Sequence, residues 1–327
     1  MNRRQFLQLS ATAAAAQTNG YRFKLGMYLG ELDMPFDESL AKAKEIGAES
    51  VWFNQLKGET PIGKMTDAEA DRVAERVARH GLKIFLLNAG NPFKEIHLTE
   101  FSVQTIDEHP KFRQQFADLT RSLEIAKRIG VSAVGSFSFA WPGEYSAGKP
   151  TWPMRWATRG GIISDNEFDK LLKAFSMAVE RAERYGIDIA LAMMPWNYTN
   201  TTGNFRRLAE RLGSKRIKVM WGPADNWNCG ESDVATAGFV NMRPYLHGLH
   251  LKDLHVIDGS RLKFEYRPLG EGDVDYVTIL RNLRAHRSDA VLSVSTHFRT
   301  ASGSREEAMR INYRNLKELI RKAEAAG

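Results

Sequence analysis

The sequence predicts a single (β/α)8 barrel, an α/β fold in which eight parallel strands alternate with eight helices. Short apolar runs alternate with amphipathic stretches along the chain after residue 20, at roughly 40 residues per unit. Several amphipathic stretches end before a glycine that leads to the next apolar run, as at Ile129-Gly130 and Tyr185-Gly186. No G-x-G-x-x-G follows any predicted strand, which disfavours a dinucleotide-binding doubly wound sheet.

The predicted elements follow one another in strict alternation. The strands are Phe23–Leu29, Ser50–Asn54, Lys83–Asn88, Ser132–Ser138, Ile187–Met193, Arg216–Gly222, Leu246–Lys252 and Ala290–Thr296. The helices are Asp37–Ile46, Asp67–His80, Lys111–Ile129, Asn166–Tyr185, Asn204–Leu212, Asp233–Met242, Val274–Ala285 and Arg305–Ala325. The longest irregular region, Phe139–Ser164, follows the fourth strand, where barrels build their sites.

Composition and charge are ordinary for a globular protein. Of 327 residues, 43% are hydrophobic and 26% are charged. The net charge is +7, but the basic residues are scattered over the predicted helices and no nucleic-acid motif occurs. We therefore expect no nucleic-acid partner. The single cysteine, Cys229, excludes an internal disulfide and a cysteine-rich metal site.

The first 20 residues predict an export signal. Asn2-Arg3-Arg4-Gln5-Phe6-Leu7 precedes the short run of small and apolar residues Leu9–Ala16, an order typical of twin-arginine signals. The run is shorter than the about 20 residues of a membrane helix, and no second apolar run could act as an anchor. We expect cleavage near Ala14-Ala15-Ala16 and a barrel of residues 21–327 in the periplasm or outside the cell. An unstructured start without a targeting role is the alternative.

The stretch Leu246–Asp253, L-H-G-L-H-L-K-D, is the first candidate for a functional site. Leu249 and Leu251 alternate with His250 and Lys252, which predicts a strand with one packed face and one face that presents chemistry. The carboxyl ends of barrel strands carry the site in this fold. The same alternation predicts inward-facing residues on other strands, namely Trp52, Asn54, Asn88, Ser136, Ser138, Ala192, Met194, Gly222, Ser293, Ser295 and His297.

Tryptophan and asparagine side chains gather at predicted strand ends and in the loops that follow. The tryptophans are Trp52, Trp141, Trp152, Trp156, Trp196, Trp221 and Trp227, and asparagines such as Asn91 accompany them. Flat apolar faces beside amide groups suit a carbohydrate. We predict that a sugar contacts Trp52, Asn54, Asn88, Trp141, Trp196, Asn197, Trp221, Asn226 and Asp253. Alternatively, the tryptophans pack the loops themselves, and Asp253 pairs with Lys252 or holds the following loop.

Three fragments, in this order, carry a resemblance to a known family. They are Leu249–Asp253 (L-H-L-K-D), Pro268–Tyr276 (P-L-G-E-G-D-V-D-Y) and Leu292–His297 (L-S-V-S-T-H). From Phe23 to about Ala323 the chain resembles the xylose isomerase-like barrels, the sugar phosphate isomerase and epimerase group. The resemblance implies a divalent cation held by glutamates on the fifth and eighth strands, an aspartate on the sixth and a histidine on the seventh. It also implies that the two glutamates move a proton between adjacent sugar carbons.

The chain departs from this ligand set at three of the four positions. Ala192, Gly222 and Ser295 stand where the family has its glutamates and aspartate, and His250 alone remains. A shift of one residue supplies no ligand for a hard cation. We therefore predict neither a metal ion nor another cofactor. The alternative is a rebuilt cation site that draws on side chains near the barrel mouth, namely Asp225, Asp253, His250, His297, Glu31 and Glu144.

Two classes of function remain open. The first is an exported sugar-active enzyme, an isomerase, epimerase or lyase, in which His250, Lys252 and His297 perform metal-independent acid–base chemistry on a sugar or keto-sugar. The second is a non-catalytic carbohydrate-binding protein derived from such enzymes. The sequence favours the enzyme, because His250, Lys252 and Asp253 stay together in a family-like arrangement. In both cases the partner is a small-molecule sugar or sugar derivative.

Overall fold

Eight parallel strands close into a barrel in the computed structural model of the chain, which describes residues 20–90, 92–144, 162–258 and 263–325. Each strand pairs with its neighbours in the chain, and the last strand pairs with the first, so that Lys24 lies opposite Val291. The predicted (β/α)8 barrel is therefore confirmed. The strands are β1 (Lys24–Tyr28), β2 (Ser50–Phe53), β3 (Lys83–Asn88), β4 (Ala133–Ser136), β5 (Asp188–Ala192), β6 (Ile217–Trp221), β7 (Leu246–Leu251) and β8 (Val291–Val294).

Helices surround the barrel, and local sequence signals set their ends. The residue before the second long helix, Thr66, accepts the backbone N–H of Glu69, whose carboxylate accepts the N–H of Thr66 in return. Gly130 and Gly186 end two helices in the left-handed region, with φ of 73° and 72°, as the sequence predicts. The helices are α1 (Phe36–Ile46), α2 (Asp67–Arg79), α3 (Pro110–Ile129), α4 (Asp165–Tyr185), α5 (Thr202–Leu212), α6 (Pro223–Asn228), α7 (Phe239–Met242), α8 (Tyr276–Ala285) and α9 (Arg305–Ala325).

The sixth unit differs from its prediction. The expected single helix Asp233–Met242 is a π-helical turn, Val234–Gly238, followed by the short α7. The chain also forms α6 directly after β6, which the sequence analysis did not predict. Pro223 stands at the start of α6, where its fixed φ and missing N–H are tolerated. As a result, the first turn of α6 lies at the carboxyl end of β6.

The region between β7 and α8, for which the sequence analysis predicts no strand, forms an antiparallel hairpin. Its strands are Asp253–Asp258 and Lys263–Arg267, with Leu254 opposite Tyr266. Leucine, valine, phenylalanine and tyrosine alternate with polar residues in these strands, a pattern that favours extended structure. The hairpin brings residues well beyond the end of β7 back over the barrel mouth.

Alternate residues of each strand face the barrel axis, and the others face the helices. The inner face of β4 begins with Ala133, which packs in a cluster with residues of five other strands. Phe137 therefore also faces inward. The predicted inward facing of Ser136 and Ser138 is wrong by one residue, and the hydroxyl of Ser138 instead lies 2.7 Å from that of Thr199. A register error of one residue reverses every side chain of a strand.

No helix in the described part of the chain combines the length and the apolar character needed to cross a bilayer. The predicted export signal, Asn91, Trp152 and Trp156 lie outside the described residues.

Candidate active site

A pocket opens at the carboxyl ends of the barrel strands, the end where the sequence predicts the site. Its volume is about 210 Å³, below the range of about 300–1,000 Å³ for drug-sized ligands. This size suits one small molecule. The pocket is lined by Tyr28, Trp52, Asn54, Lys94, Phe137, Ala192, Met194, Pro195, Trp196, Asp225, His250, Lys252, Tyr266, Ser295 and His297.

Lys252 and Asp225 form a buried ion pair in the wall of this pocket. Lys252 directly follows β7, and Asp225 lies in the first turn of α6. Lys252 Nζ is 2.8 Å from Asp225 Oδ1, and each side chain is only 4% exposed. Burial acts to lower the pKa of Lys252, but the charge and hydrogen bond of Asp225, together with the charge of Glu31, outweigh it and raise the pKa. Lys252 therefore holds a positive charge at neutral pH.

Gly222 allows Asp225 to take this position. A Cβ atom on Gly222 would lie 2.3 Å from Asp225 Oδ2 and 3.3 Å from the carbonyl oxygen of Met193. The carboxylate of Asp225 thus occupies the space into which a side chain at residue 222 would project. Only glycine is compatible with this arrangement. The reason is the missing side chain and not the backbone conformation, because any residue can adopt the φ of Gly222, −106°.

His250 stands on the inner face of β7, two residues before Lys252. Its ring meets the ring of Trp52 edge to face at 5.7 Å and that of His297 at 6.1 Å. Burial, then the charges of Lys252 and His297, lower the pKa of His250 well below its usual range, so the imidazole is neutral. Neither ring nitrogen has a hydrogen-bond partner among the described residues. Both nitrogens can therefore serve a ligand, one as donor and one as acceptor.

His297 follows β8 and lies beside a carboxylate from the first loop. Its Nδ1 is 3.5 Å from Oε1 of Glu31, which belongs to the 3₁₀ turn after β1. Arg299 lies 3.9 Å from the other oxygen of Glu31, and Ser295 donates to Oε1 at 3.5 Å. Burial and the nearby cations lower the pKa of His297, while burial raises that of Glu31. An imidazole next to a carboxylate can accept a proton and have its positive charge stabilised.

Aromatic rings form the apolar walls of the pocket. The rings of Trp52 and Tyr28 stack at 4.4 Å, and Trp52 Nε1 donates to Ser293 Oγ at 2.8 Å. Trp196 packs against Phe137 at 5.2 Å. These rigid flat surfaces suit the C–H faces of a small polar molecule.

The structure brings together six of the predicted site residues. His250, Lys252, His297, Trp52, Asn54 and Trp196 line the pocket. Asn54 Oδ1 is buried and has no hydrogen-bond partner within the described ranges, so it is open to a ligand donor.

The other predicted sugar contacts lie outside the pocket lining, and two of them pack on the helix side of the barrel. Trp221 belongs to the core between strands and helices, and its Nε1 donates to Asn226 Oδ1 at 2.9 Å. Asn226 in turn donates to the carbonyl oxygen of Asn200 at 2.7 Å. Since inward-facing Met220 precedes Trp221 on β6, alternation places the indole outward.

Asn197 and Trp141 also have structural surroundings. Asn197 Nδ2 donates to the carbonyl oxygen of Ala192 at 2.8 Å, which fixes the turn after β5. The ring of Trp141 lies 3.9 Å from that of Tyr198, with both rings fully buried in the core. Asn88 lies inside the barrel against Gly135 and does not line the pocket.

Asp253 holds the loop that follows the hairpin. Its carboxylate accepts backbone N–H groups from Leu254 and Gly270 at 2.9 Å, Gly272 at 3.2 Å and Val274 at 3.4 Å. A carboxylate surrounded by four donors within the chain is not available to a sugar. The prediction of a sugar contact is therefore corrected, and the alternative of a loop-holding residue is confirmed.

Five residues that the sequence analysis missed line the pocket: Tyr28, Lys94, Phe137, Pro195 and Tyr266. Alternation along β1 could have found Tyr28, and the correct register of β4 would have found Phe137. Tyr266 arrives through the hairpin and packs 5.0 Å from the ring of His297. Lys94 comes from an irregular loop that carries no sequence signal. Burial lowers its pKa, and its ammonium lies 5.7 Å from the rings of Phe137 and Trp196.

The residues at the implied metal positions do not fit a divalent cation. Ala192, Gly222 and Ser295 offer no carboxylate, and the carboxylate that stands beside Gly222, that of Asp225, is paired with an ammonium group that repels a metal ion. Across the described ranges, no three His, Cys, Asp or Glu side chains are grouped so that they could hold a metal ion. That the protein acts without a metal ion stays a prediction.

Comparison with known proteins relates this chain to a family. The family model described as a xylose isomerase-like TIM barrel matches residues 40–319. An uncharacterised protein of Methanocaldococcus jannaschii is 27% identical over 161 residues, which cover 47% of this chain and 51% of that relative. The match thus spans about half the length of this curated relative.

Two solved structures share the fold over nearly their whole length. An L-ribulose 3-epimerase matches with a TM-score of 0.66 and 15% identity, covering 93% of this chain and 97% of that chain. A 3-keto-D-glucoside 4-epimerase of E. coli matches with a TM-score of 0.63 and 18% identity, covering 91% and 100%. At these identities the likeness shows the fold alone.

Proposed function

The chain belongs to the xylose isomerase-like TIM barrel family, and we propose that it is a metal-independent isomerase or epimerase of a sugar or keto-sugar. The observation that carries the proposal is the convergence of His250, Lys252 and His297 on one small pocket. Lys252 is cationic and both imidazoles are neutral. Neutral acid–base groups can move a proton on the carbon next to a carbonyl group, and a cation beside them can stabilise the negative charge that develops on the carbonyl oxygen.

In this proposal, His297 removes the proton from the carbon next to the carbonyl group of the substrate. Glu31 lies 3.5 Å from Nδ1 of His297 and stabilises the imidazolium that forms. Because the pKa of His297 is lowered, the imidazole is unprotonated and ready to act as a base at neutral pH.

Lys252 stabilises the negative charge that develops on the carbonyl oxygen. Its ammonium is fixed by Asp225, so it needs no rearrangement when the charge appears. Both ring nitrogens of His250 lack hydrogen-bond partners among the described residues, and its N–H can donate a hydrogen bond to the same oxygen. If the His297 imidazolium returns its proton to the neighbouring carbon, while the hydroxyl proton there moves to the former carbonyl oxygen, the product is an isomer. If His250 instead protonates the original carbon from the opposite face, taking up a proton at its other nitrogen while His297 releases its proton to solvent, the product is an epimer.

The surroundings support a sugar-sized substrate. The stacked pair Trp52 and Tyr28 offers a flat apolar face. Asn54 offers a hydroxyl group its side-chain carbonyl oxygen, which has no hydrogen-bond partner among the described residues. The two solved structures compared above are named as sugar epimerases. A single sugar is a substrate that this pocket of about 210 Å³ could hold.

Solvent deuterium exchange tests the proposal. The full chain is incubated in D₂O with a panel of ketoses, aldoses and keto-sugars, and NMR follows deuterium at the carbon next to the carbonyl group and the appearance of an isomer. We expect exchange with at least one member of the panel. His297→Ala and Lys252→Ala should each lower the rate by about 10²–10⁴-fold, the usual contribution of one acid–base group.

His286→Asn is the matched control, because His286 stacks on Phe239 at the helix layer, away from the pocket, and its loss should leave the rate unchanged. Saturable sugar binding without exchange or turnover would overturn the enzyme and leave the non-catalytic carbohydrate-binding protein. Turnover that persists in Lys252→Ala and His297→Ala would contradict the assigned roles.

We also propose that residues 1–20 direct export of the folded protein. Arg3 and Arg4 ahead of the run Leu9–Ala16 support this proposal. Cell fractionation should find the wild-type protein outside the cytoplasm, and Arg3→Lys/Arg4→Lys should keep it inside. An unchanged location of the double variant would contradict the twin-arginine signal.

A further inference from the structure

The end of β6 is built to admit a carboxylate from outside the strand. Gly222 leaves open the space where its own side chain would begin, and Asp225 Oδ2 fills that space at 2.3 Å from the position of the missing Cβ. Asp225 is 3% exposed, so its charge is removed from solvent. A buried carboxylate is costly unless a positive charge compensates it.

The compensating positive charge comes from Lys252, the residue directly after β7. Lys252 Nζ approaches Asp225 Oδ1 at 2.8 Å, and no other ion pair of the described chain has both side chains as buried as these two. Glu31, held by Ser295 at the end of β8, contributes a second negative charge that acts on Lys252. The ammonium group thus lies among acidic groups that enter from α6 and from the loop after β1.

The groups around this ammonium retain free ligand atoms. Asp225 Oδ2 and both ring nitrogens of His250 are buried, and they lack hydrogen-bond partners in the described part of the chain. A carboxylate oxygen and an imidazole nitrogen are donors that a divalent cation accepts. The ammonium of Lys252 pairs with this carboxylate and keeps a metal ion away by charge repulsion.

We propose that the Lys252 ammonium, fixed by Asp225 across Gly222, is a built-in replacement for a divalent cation in this pocket. Its chemical role rests on the proposed function: the ammonium polarises the carbonyl group of the substrate, as a bound cation would. Asp225 is then a positioning residue, since it acts on the substrate only through Lys252. The replacement itself is independent of turnover and can be tested by metal binding alone.

Removal of the ammonium should therefore create a metal site. The full chain and Lys252→Ala are each titrated with MnCl₂ in a calorimeter, after circular dichroism has shown that the variant is folded. We expect no saturable Mn²⁺ binding by the wild type. We expect one Mn²⁺ per chain in Lys252→Ala, with an affinity at least roughly ten-fold above any wild-type signal. If Lys252→Ala does not fold, Lys252→Gln removes the charge at similar volume and leaves an oxygen that can ligate the ion.

Two further variants make the result specific. Lys252→Ala/Asp225→Asn should lose the new affinity, because the carboxylate is gone. Lys170→Ala is the matched control: Lys170 is also buried, but its Nζ donates to the carbonyl oxygen of Leu98 outside the pocket, so the variant should gain no Mn²⁺ affinity.

Stoichiometric Mn²⁺ binding by the wild type, with Lys252 in place, would overturn the proposal. So would a folded Lys252→Ala or Lys252→Gln that binds Mn²⁺ no better than the wild type. Failure of the sugar panel would count against the proposed reaction but leave these titrations valid.

Discussion

Gly222→Ala is the substitution that probes the geometry of the pocket most directly. The backbone at residue 222 has φ −106° and ψ 86°, so alanine adds no backbone strain there. Its Cβ, however, would lie 2.3 Å from Asp225 Oδ2. An ordinary contact between carbon and oxygen requires about 3.3 Å or more, so the carboxylate must retreat by about 1 Å. That displacement would stretch the ion pair with Lys252 from its present 2.8 Å.

The cost can be bounded by two known effects. Forcing an extra methyl group into a packed site costs about 1–3 kcal/mol, and breaking a buried ion pair costs about 3–5 kcal/mol. Because the pair is strained rather than removed, we expect Gly222→Ala to lower the free energy of unfolding by about 2–4 kcal/mol. Turnover should fall as well, since the ammonium of Lys252 loses its fixed position.

Urea denaturation followed by circular dichroism measures the cost of Gly222→Ala in the wild-type protein and in Asp225→Ala. In Asp225→Ala the clashing carboxylate is absent, so adding Gly222→Ala should cost less than about 0.5 kcal/mol. Gly203→Ala is the matched control, because no atom lies within 4 Å of the added Cβ and the residue belongs to α5. An equal cost of Gly222→Ala in both backgrounds would refute the steric argument.

Three further predictions concern the loop after the hairpin, the pocket wall and the N-terminal cap of α2. Asp253→Asn should lower the free energy of unfolding by about 2–4 kcal/mol in urea denaturation, because the amide cannot accept all four N–H groups; a loss of substrate binding without a loss of stability would contradict this role. Trp52→Phe removes the hydrogen bond to the buried Ser293, so it should raise the KM several-fold and lower the free energy of unfolding by about 1–3 kcal/mol, and an unchanged KM would argue against a sugar contact there. Hydrogen bonds from Thr66 lower the pKa of Glu69 from 4.5 to about 2, so its stabilising effect is present above pH 4.5 and is lost as the pH falls towards about 2. Glu69→Gln should therefore be less stable than the wild type at pH 7, with a gap that narrows on acidification; a gap independent of pH would exclude this linkage.

The candidate site was predictable where one strand carried it. The alternation in L-H-G-L-H-L-K-D places His250 and Lys252 on the inner face of β7, and the structure confirms that both line the pocket. Trp221 shows the limit of the same approach. Its position at a strand end suggests a sugar contact, but alternation with Met220 turns it to the helix side.

Sequence alone determined the barrel, because its signals are local: apolar runs, amphipathic periods and cap glycines each act within a few residues. It also predicted that Ala192, Gly222 and Ser295 stand at three positions where the family resemblance implies metal ligands. Only the tertiary structure decided what stands near these positions. Asp225 enters through the space that Gly222 leaves, Glu31 reaches Ser295 from the opposite end of the chain, and the hairpin brings Tyr266 to His297. The physical reason is that barrel closure, α6 and the hairpin join side chains of different elements, up to 264 residues apart for Glu31 and Ser295, and no local period encodes such contacts.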